Sequence, residues 1–242
     1  EAPNGWGLDG EARFIASGNS ADALLVVAQI DNNLGLFRVA PSQSGVTLSK
    51  MPTMDQTRPM GMLGLSGAVV SGADCLSTDW EDHLESVLAL SRVLVGAEQV
   101  GCAQASLDQS VAYVGERVQF GRTIASYQAI KHKAADMMLK VESARSLLYY
   151  AACVGDEALM ETVTSNDLRE AAAMLASSAG DAAFFCAGTG IQLHGGVGIT
   201  EEYDIQLYFK RARSMEAYLG RPDEQRELLA AMLLDGDDGH AA

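Results

Sequence analysis

Basic residues are scarce. Seventeen lysines and arginines stand against 32 aspartates and glutamates, a formal net charge of −15. That balance argues against a nucleic-acid or anionic-membrane surface, because phosphate binding relies on clustered Lys and Arg. Cysteine is sparse too: Cys75, Cys102, Cys153 and Cys186 lie far apart, with no C-x-x-C and no histidine at ligand spacing. This excludes a disulfide framework and a zinc site, no metal is expected, and the thiols fit ordinary apolar residues of a reducing cytoplasm. Long apolar runs are missing. Ala23–Ala28 is typical, against the roughly 20 residues a membrane span needs, so no membrane span is expected. No secretory signal, internal repeat or low-complexity segment is visible. A Walker loop, a Ser/His/Asp set and a G-x-G-x-x-G between strand and helix are likewise missing. The first residue is Glu1 rather than Met, and the natural start is expected to lie upstream.

What is present suffices for a sizeable core. The 242 residues are 48% apolar, enough for one large domain or two small ones. The texture changes near residue 80. Before it, Leu24–Ala28, Leu34–Val39, Val46–Leu48 and Gly67–Val70 read as short strands separated by Asp31-Asn32-Asn33, Pro41-Ser42, Gly45 and Ser71-Gly72, which predicts an antiparallel β unit. From Leu84 the period becomes helical, with Leu84, Val87, Leu88, Ser91, Val95 and Gln99 on one side of a long helix. A second helix is predicted from about Ile124 to Val154, with Ile130, Ala134, Met137, Val141, Ala144 and Leu148 at three-four spacing. Ser165 or Asn166 can cap a third, stopped by Gly188-Thr189-Gly190. A fourth is expected from about Tyr203 to Leu219, and a short last helix ends near Leu234. Long helices with short connections predict an antiparallel four-helix bundle, so the fold class is α+β.

Two segments carry candidate chemistry. In Glu116-Arg117-Val118-Gln119-Phe120-Gly121-Arg122, the planar cation of Arg117 suits a pyrophosphate and the Phe120 ring can stack on an aromatic base. The plainer reading is a helix C-terminus capped at Gly121. In Gln192-Leu193-His194-Gly195-Gly196-Val197-Gly198, the glycines let backbone N–H groups approach a ligand. A glycine-rich turn between helices explains them equally well. His194 could act as a base, although a lone histidine is more often structural.

In order, Met54-Asp55-Gln56-Thr57-Arg58-Pro59, Ser91-Arg92, Glu116–Arg122, Tyr127-Gln128-Ala129-Ile130-Lys131-His132, Gln192–Gly198 and Ala217-Tyr218-Leu219-Gly220 resemble the flavoprotein acyl-CoA dehydrogenase family along essentially the whole chain. The resemblance implies the second part of a middle β domain over residues 1–78, a C-terminal four-helix bundle over 79–235 and a flexible tail over 236–242. It implies FAD as cofactor, and α,β-dehydrogenation of a fatty, branched or steroid acyl-CoA with electron-transfer flavoprotein as a possible acceptor. Arg117, Gln119, Phe120, Gln128, Gln192, Leu193, Gly195 and Gly196 match the clamp that a family subunit extends to its neighbour's flavin.

The departures fall elsewhere. The family's usual carboxylate base sits between Tyr and Gly where this chain has Leu219, or before an Arg where it has Ser91. Neither can take a proton usefully at neutral pH, so no catalytic residue is assigned. The family's flavin-contacting Thr and Gln after the base align with Arg221 and Asp223, and its flanking Trp and Thr with Phe14 and Ala16. The resemblance therefore implies a subunit of an α2β2 hetero-oligomer that lacks its own base and completes the flavin site of a paralogous subunit. The alternatives are a self-sufficient enzyme with a displaced base, Glu216 or Glu98, and a flavin-free structural subunit.

Overall fold

The computed structural model describes residues 5–234; the tail expected over 236–242 lies outside them. The chain divides into two compact units, one up to Glu85 and one from Ser86.

Among its described residues, the first unit contains six strands: β1 (Gly5–Ala16), β2 (Leu24–Ile30), β3 (Asn33–Val39), β4 (Val46–Met51), β5 (Met60–Ser71) and β6 (Cys75–Ser77). They form two three-stranded antiparallel sheets, ordered β1-β5-β4 and β2-β3-β6. Period-two alternation turns Leu24, Val26, Ala28 and Ile30 to one face of β2, and one apolar core joins Leu8, Leu24, Phe37, Val39, Leu63 and Val70. The sequence pattern does not reveal β1, because three glycines, Asp9 and Glu11 break its alternation. Pairing with β5 specifies it instead, through a register shift between Ala12 and Ile15 that places Phe14 at φ 60.

The second unit is helical: α1 (Glu81–Glu116), whose first turn precedes the division, α2 (Gln128–Leu159), α3 (Ser165–His194), α4 (Ile205–Glu216) and α5 (Pro222–Leu234). Between α1 and α2 lie two short strands, β7 (Val118–Gln119) and β8 (Arg122–Thr123). Its core is rich in small residues, among them Ala89, Ala103, Ala144, Ala171 and Ala179 around Met137, Val141, Leu168 and Leu175. Small residues let helix axes approach closely. The windows His83–Glu116 and Ser165–Ile199 are long and apolar enough, by composition, to cross a membrane, with 33% and 61% of their most apolar stretch buried inside the molecule. Bundle core helices meet the same criterion, and α3 supplies many core residues of this bundle.

Helix α2, expected from about Ile124 to Val154, runs Gln128–Leu159, with Ile124–Ser126 a separate short turn, and three further helix limits differ from the sequence expectation. The cap of α3 is Thr164 rather than Ser165 or Asn166: its hydroxyl accepts the Asp167 N–H at 3.2 Å, while Asp167 accepts the Thr164 N–H at 2.8 Å. The Thr164 hydroxyl also donates to the Asp167 carboxylate at 2.7 Å, and this bond, reinforced by the backbone one, holds the carboxyl below its usual range. The contribution of this pair is therefore complete above the ordinary carboxylate pKa and is lost as pH falls through the lowered one. Helix α4 stops at Glu216, so Tyr218-Leu219-Gly220 is a turn, with Leu219 at φ 64 and Gly220 at φ 107.

The third difference is that α3 continues through Gly188-Thr189-Gly190 to His194. Packing is the reason. A methyl at Gly190 would sit 2.7 Å from Ile205 Cδ1 and 3.0 Å from Ser110 Oγ, whereas one at Gly188 would meet Phe209 at an ordinary 3.7 Å. Alanine gains about 1 kcal/mol over glycine inside a helix, and overpacking a tight contact costs about 1–3 kcal/mol. Gly188→Ala is therefore expected to raise stability and Gly190→Ala to lower it, as read from urea unfolding midpoints. A rise in stability for Gly190→Ala would show that the contact with Ile205 and Ser110 does not require the glycine.

Candidate functional site

At one end of the bundle, α1 closes with the Arg117 N–H bonded to the Tyr113 carbonyl at 2.9 Å. The chain then forms a two-residue hairpin, Val118 opposite Thr123 and Gln119 opposite Arg122. Phe120 (φ 54) and Gly121 (φ 77) at its tip both occupy the left-handed region, as a type I′ turn requires. Gly121 is thus the second turn residue, not a helix cap. A phenylalanine held there costs about 1–2 kcal/mol, and its ring is 92% exposed. The hairpin is braced from behind: Tyr127 Oη donates to the Gln119 carbonyl at 3.2 Å, and the Arg122 guanidinium lies 4.0 Å over the Tyr127 ring. Arg117, Gln119 and Gln128 are exposed, and Gln128 opens α2.

The C-terminus of α3 supplies the other half. Gln192 is exposed, whereas the Leu193 side chain lies in the core, leaving only its backbone for a ligand. Gly195 ends the helix at φ 67, with its N–H on the Gln192 and Ile191 carbonyls. Gly198 is required by contact, since a methyl there would lie 2.8 Å from the Ile191 carbonyl. Gly196 is required by neither, and the space beside it is open. A bare backbone facing open space suits the close approach of a ligand. The two halves are tied by the rings of Tyr113 and His194, stacked 4.3 Å apart. Seven of the eight clamp residues read from the sequence are thus exposed on the ends of α1 and α3 and the start of α2, and Leu193 is the exception. Tyr113 escaped the sequence reading, although it stands one helical turn before Arg117.

Ser91 and Leu219 mark the second location. Arg92 Nε donates to the Leu219 carbonyl at 3.0 Å, so the turn is anchored to α1 beside Ser91, whose hydroxyl is bonded to the Val87 carbonyl. At 1.5 Å per residue, Arg92 and the end of α1 are about 36 Å apart. Glu98 is ion-paired with Arg211 and Glu216 with Arg213. Arg221, just before α5, and Asp223, in its first turn, bind one another at 2.9 Å. In the first unit, Phe14 and Ala16 are exposed at the end of β1, with the Phe14 N–H 3.4 Å from Met51 Sδ.

Other reactive groups are few. Burial pushes the Cys186 thiol up to about 12, so it stays protonated. Among the described residues, no three His, Cys, Asp or Glu side chains group as a metal site would require.

Residues 80–234 match the model of the acyl-CoA dehydrogenase C-terminal domain. Over 185 residues the chain is 40% identical to acyl-CoA dehydrogenase IpdE2 of Mycolicibacterium smegmatis, covering 76% of this chain and 52% of that protein. An acyl-CoA dehydrogenase of Bacillus subtilis is 30% identical over 243 residues, 95% of this chain and 61% of the relative. The fold matches a chain of the ChsE4–ChsE5 complex of Mycobacterium tuberculosis with a TM-score of 0.85 and 29% identity, covering 96% of this chain and 61% of the other. The chain thus spans little more than half the length of these relatives.

Proposed function

The chain belongs to the acyl-CoA dehydrogenase family, and on that premise we propose that it is the non-catalytic subunit of a cytoplasmic hetero-oligomeric acyl-CoA dehydrogenase. One observation carries the reading, the lack of a carboxylate at Leu219 and Ser91; a second supports it, because the clamp end and the base end of this subunit are about 36 Å apart along α1 and so belong to different flavin sites. A clamp so placed serves the flavin of a neighbour. Leu219 and Ser91 occupy the base positions and carry no group that titrates near neutral pH.

When bound, FAD supplies the acceptor for the substrate's β-hydrogen as hydride. In this reading the proton from the α-carbon goes to a carboxylate of the paralogous subunit, and electron-transfer flavoprotein receives the electrons. The chain's own residues bind and orient. Arg117 neutralises pyrophosphate with a forked cation, Phe120 offers its ring to the adenine, and Gln128 and Gln192 add amide hydrogen bonds. Gly195 and Gly196 let the dinucleotide lie against bare backbone. The exposed ring and the open space at Gly196 fit such a ligand. A displaced base is less favoured, because Glu98 and Glu216 are each held by an arginine.

The test is FAD per chain, by absorbance after gentle purification of the full-length protein, alone and with its paralogous subunit. About half a flavin per chain in the complex and none alone is the expected result. A full complement bound by this protein alone would overturn the divided site.

A further inference from the structure

We infer that His194 is a positioning residue that joins the two halves of the clamp through Tyr113. The inference rests on the clamp reading above and concerns residues which that reading does not use.

His194 is 5% exposed. Its Nδ1 lies 2.7 Å from the Gly190 carbonyl; a carbonyl only accepts, so Nδ1 carries the proton and the ring is fixed in one orientation. In that orientation its face lies on the Tyr113 ring, 4.3 Å between centroids and 21° between planes. Tyr203 closes the cluster edge-on, 5.6 Å from His194 and 5.7 Å from Tyr113. The Gly198 backbone folds so tightly against His194 that a methyl there would stand 3.0 Å from its Cβ. The imidazole therefore contacts α3, α1 and the segment before α4, and the Cβ of the same residue packs on the glycine turn.

The consequence follows from chain distance. Tyr113 holds the Arg117 N–H through its own carbonyl, and His194 stands two residues after Gln192 and one before Gly195. Arg117 and Gln192 belong to different helix ends, and helix ends fray unless tied. The Tyr113–His194 stack is a side-chain link between those ends. Without it, the phosphate-binding arginine and the glycine turn would find their relative placement only when the dinucleotide binds, and affinity would fall by that ordering cost.

The experiment uses the two-subunit complex, stripped of flavin and titrated with FAD and separately with FMN, which lacks the adenylate that the clamp holds. His194→Leu is expected to weaken FAD binding about tenfold while FMN binding stays within about twofold. In an Arg117→Ala background the same substitution should cost less than about threefold, because both act through one contact. Tyr113→Leu should behave like His194→Leu, and Tyr113→Phe, which keeps the stack, like the parent protein. Should His194→Leu fail to fold, His194→Phe keeps the stacked ring and loses the bond to Gly190; it is then expected to show a smaller loss, again confined to FAD. Equal losses for FAD and FMN, additive losses with Arg117→Ala, or no loss would overturn the role of His194 alone. Unchanged FAD affinity in Arg117→Ala itself would overturn the clamp and this inference together.

Discussion

Arg117→Ala in the two-subunit complex is expected to lower FAD affinity tenfold to a hundredfold and to leave the complex assembled. A hydrogen bond from a charged donor contributes about 1.5–3 kcal/mol, and each 1.4 kcal/mol is a factor of about ten in affinity. The side chain is exposed at the end of α1, so its removal opens no cavity and the fold should not register it. Arg117→Lys should restore only part of the loss, since an ammonium keeps the charge but not the forked geometry. Flavin fluorescence titration reads the affinity, and size-exclusion chromatography reads the assembly. Unchanged affinity would remove the clamp from the account.

Leu175→Ala is expected to cost the bundle about 3–5 kcal/mol, the upper part of the range for a buried leucine. Leu175 is fully buried, and it faces Gly96 of α1, where a methyl would stand 2.6 Å from Leu175 Cδ2 and 2.7 Å from Cγ. With no side chain opposite, nothing collapses into the space the leucine vacates. The same geometry makes Gly96→Ala change sign with its background. In the parent protein the clash outweighs the helix gain of about 1 kcal/mol, so stability falls. In Leu175→Ala the methyl enters the vacated space, and stability rises. Urea unfolding of the four members of this cycle, followed by far-ultraviolet circular dichroism, measures the coupling. Additive effects would show that the two residues do not meet.

The long helices were legible because their apolar residues recur at helical spacing and their cores are continuous. Helix α2 is the clearest case, with Met137, Val141 and Ala144 all fully buried. Strand β1 was not legible, because its partner β5 lies more than 40 residues further on and its own alternation is broken by glycine and acid. The end of α3 was misread for a related reason: Gly190 signals a stop locally but answers a contact with Ile205 and Ser110. At the candidate site, the residue types that suit a dinucleotide were visible in the sequence. The devices that aim them were not. Phe120 at positive φ, the Tyr127 brace and the Tyr113–His194 stack are tertiary facts, and no spacing rule announces them.

The length of α1 has an evolutionary consequence on the reading proposed above. Its two ends answer to different demands, because the end at Arg117 is judged by a neighbour's chemistry and the end at Arg92 only by the stability of its own turn. Substitutions near Ser91 and Leu219 are then free to drift among residues that keep the turn anchored, and a lost carboxylate there is never missed. Substitutions near Arg117 must wait for compensating changes in another gene product. A single rigid rod thus carries one tip under private selection and the other under selection shared with a second chain.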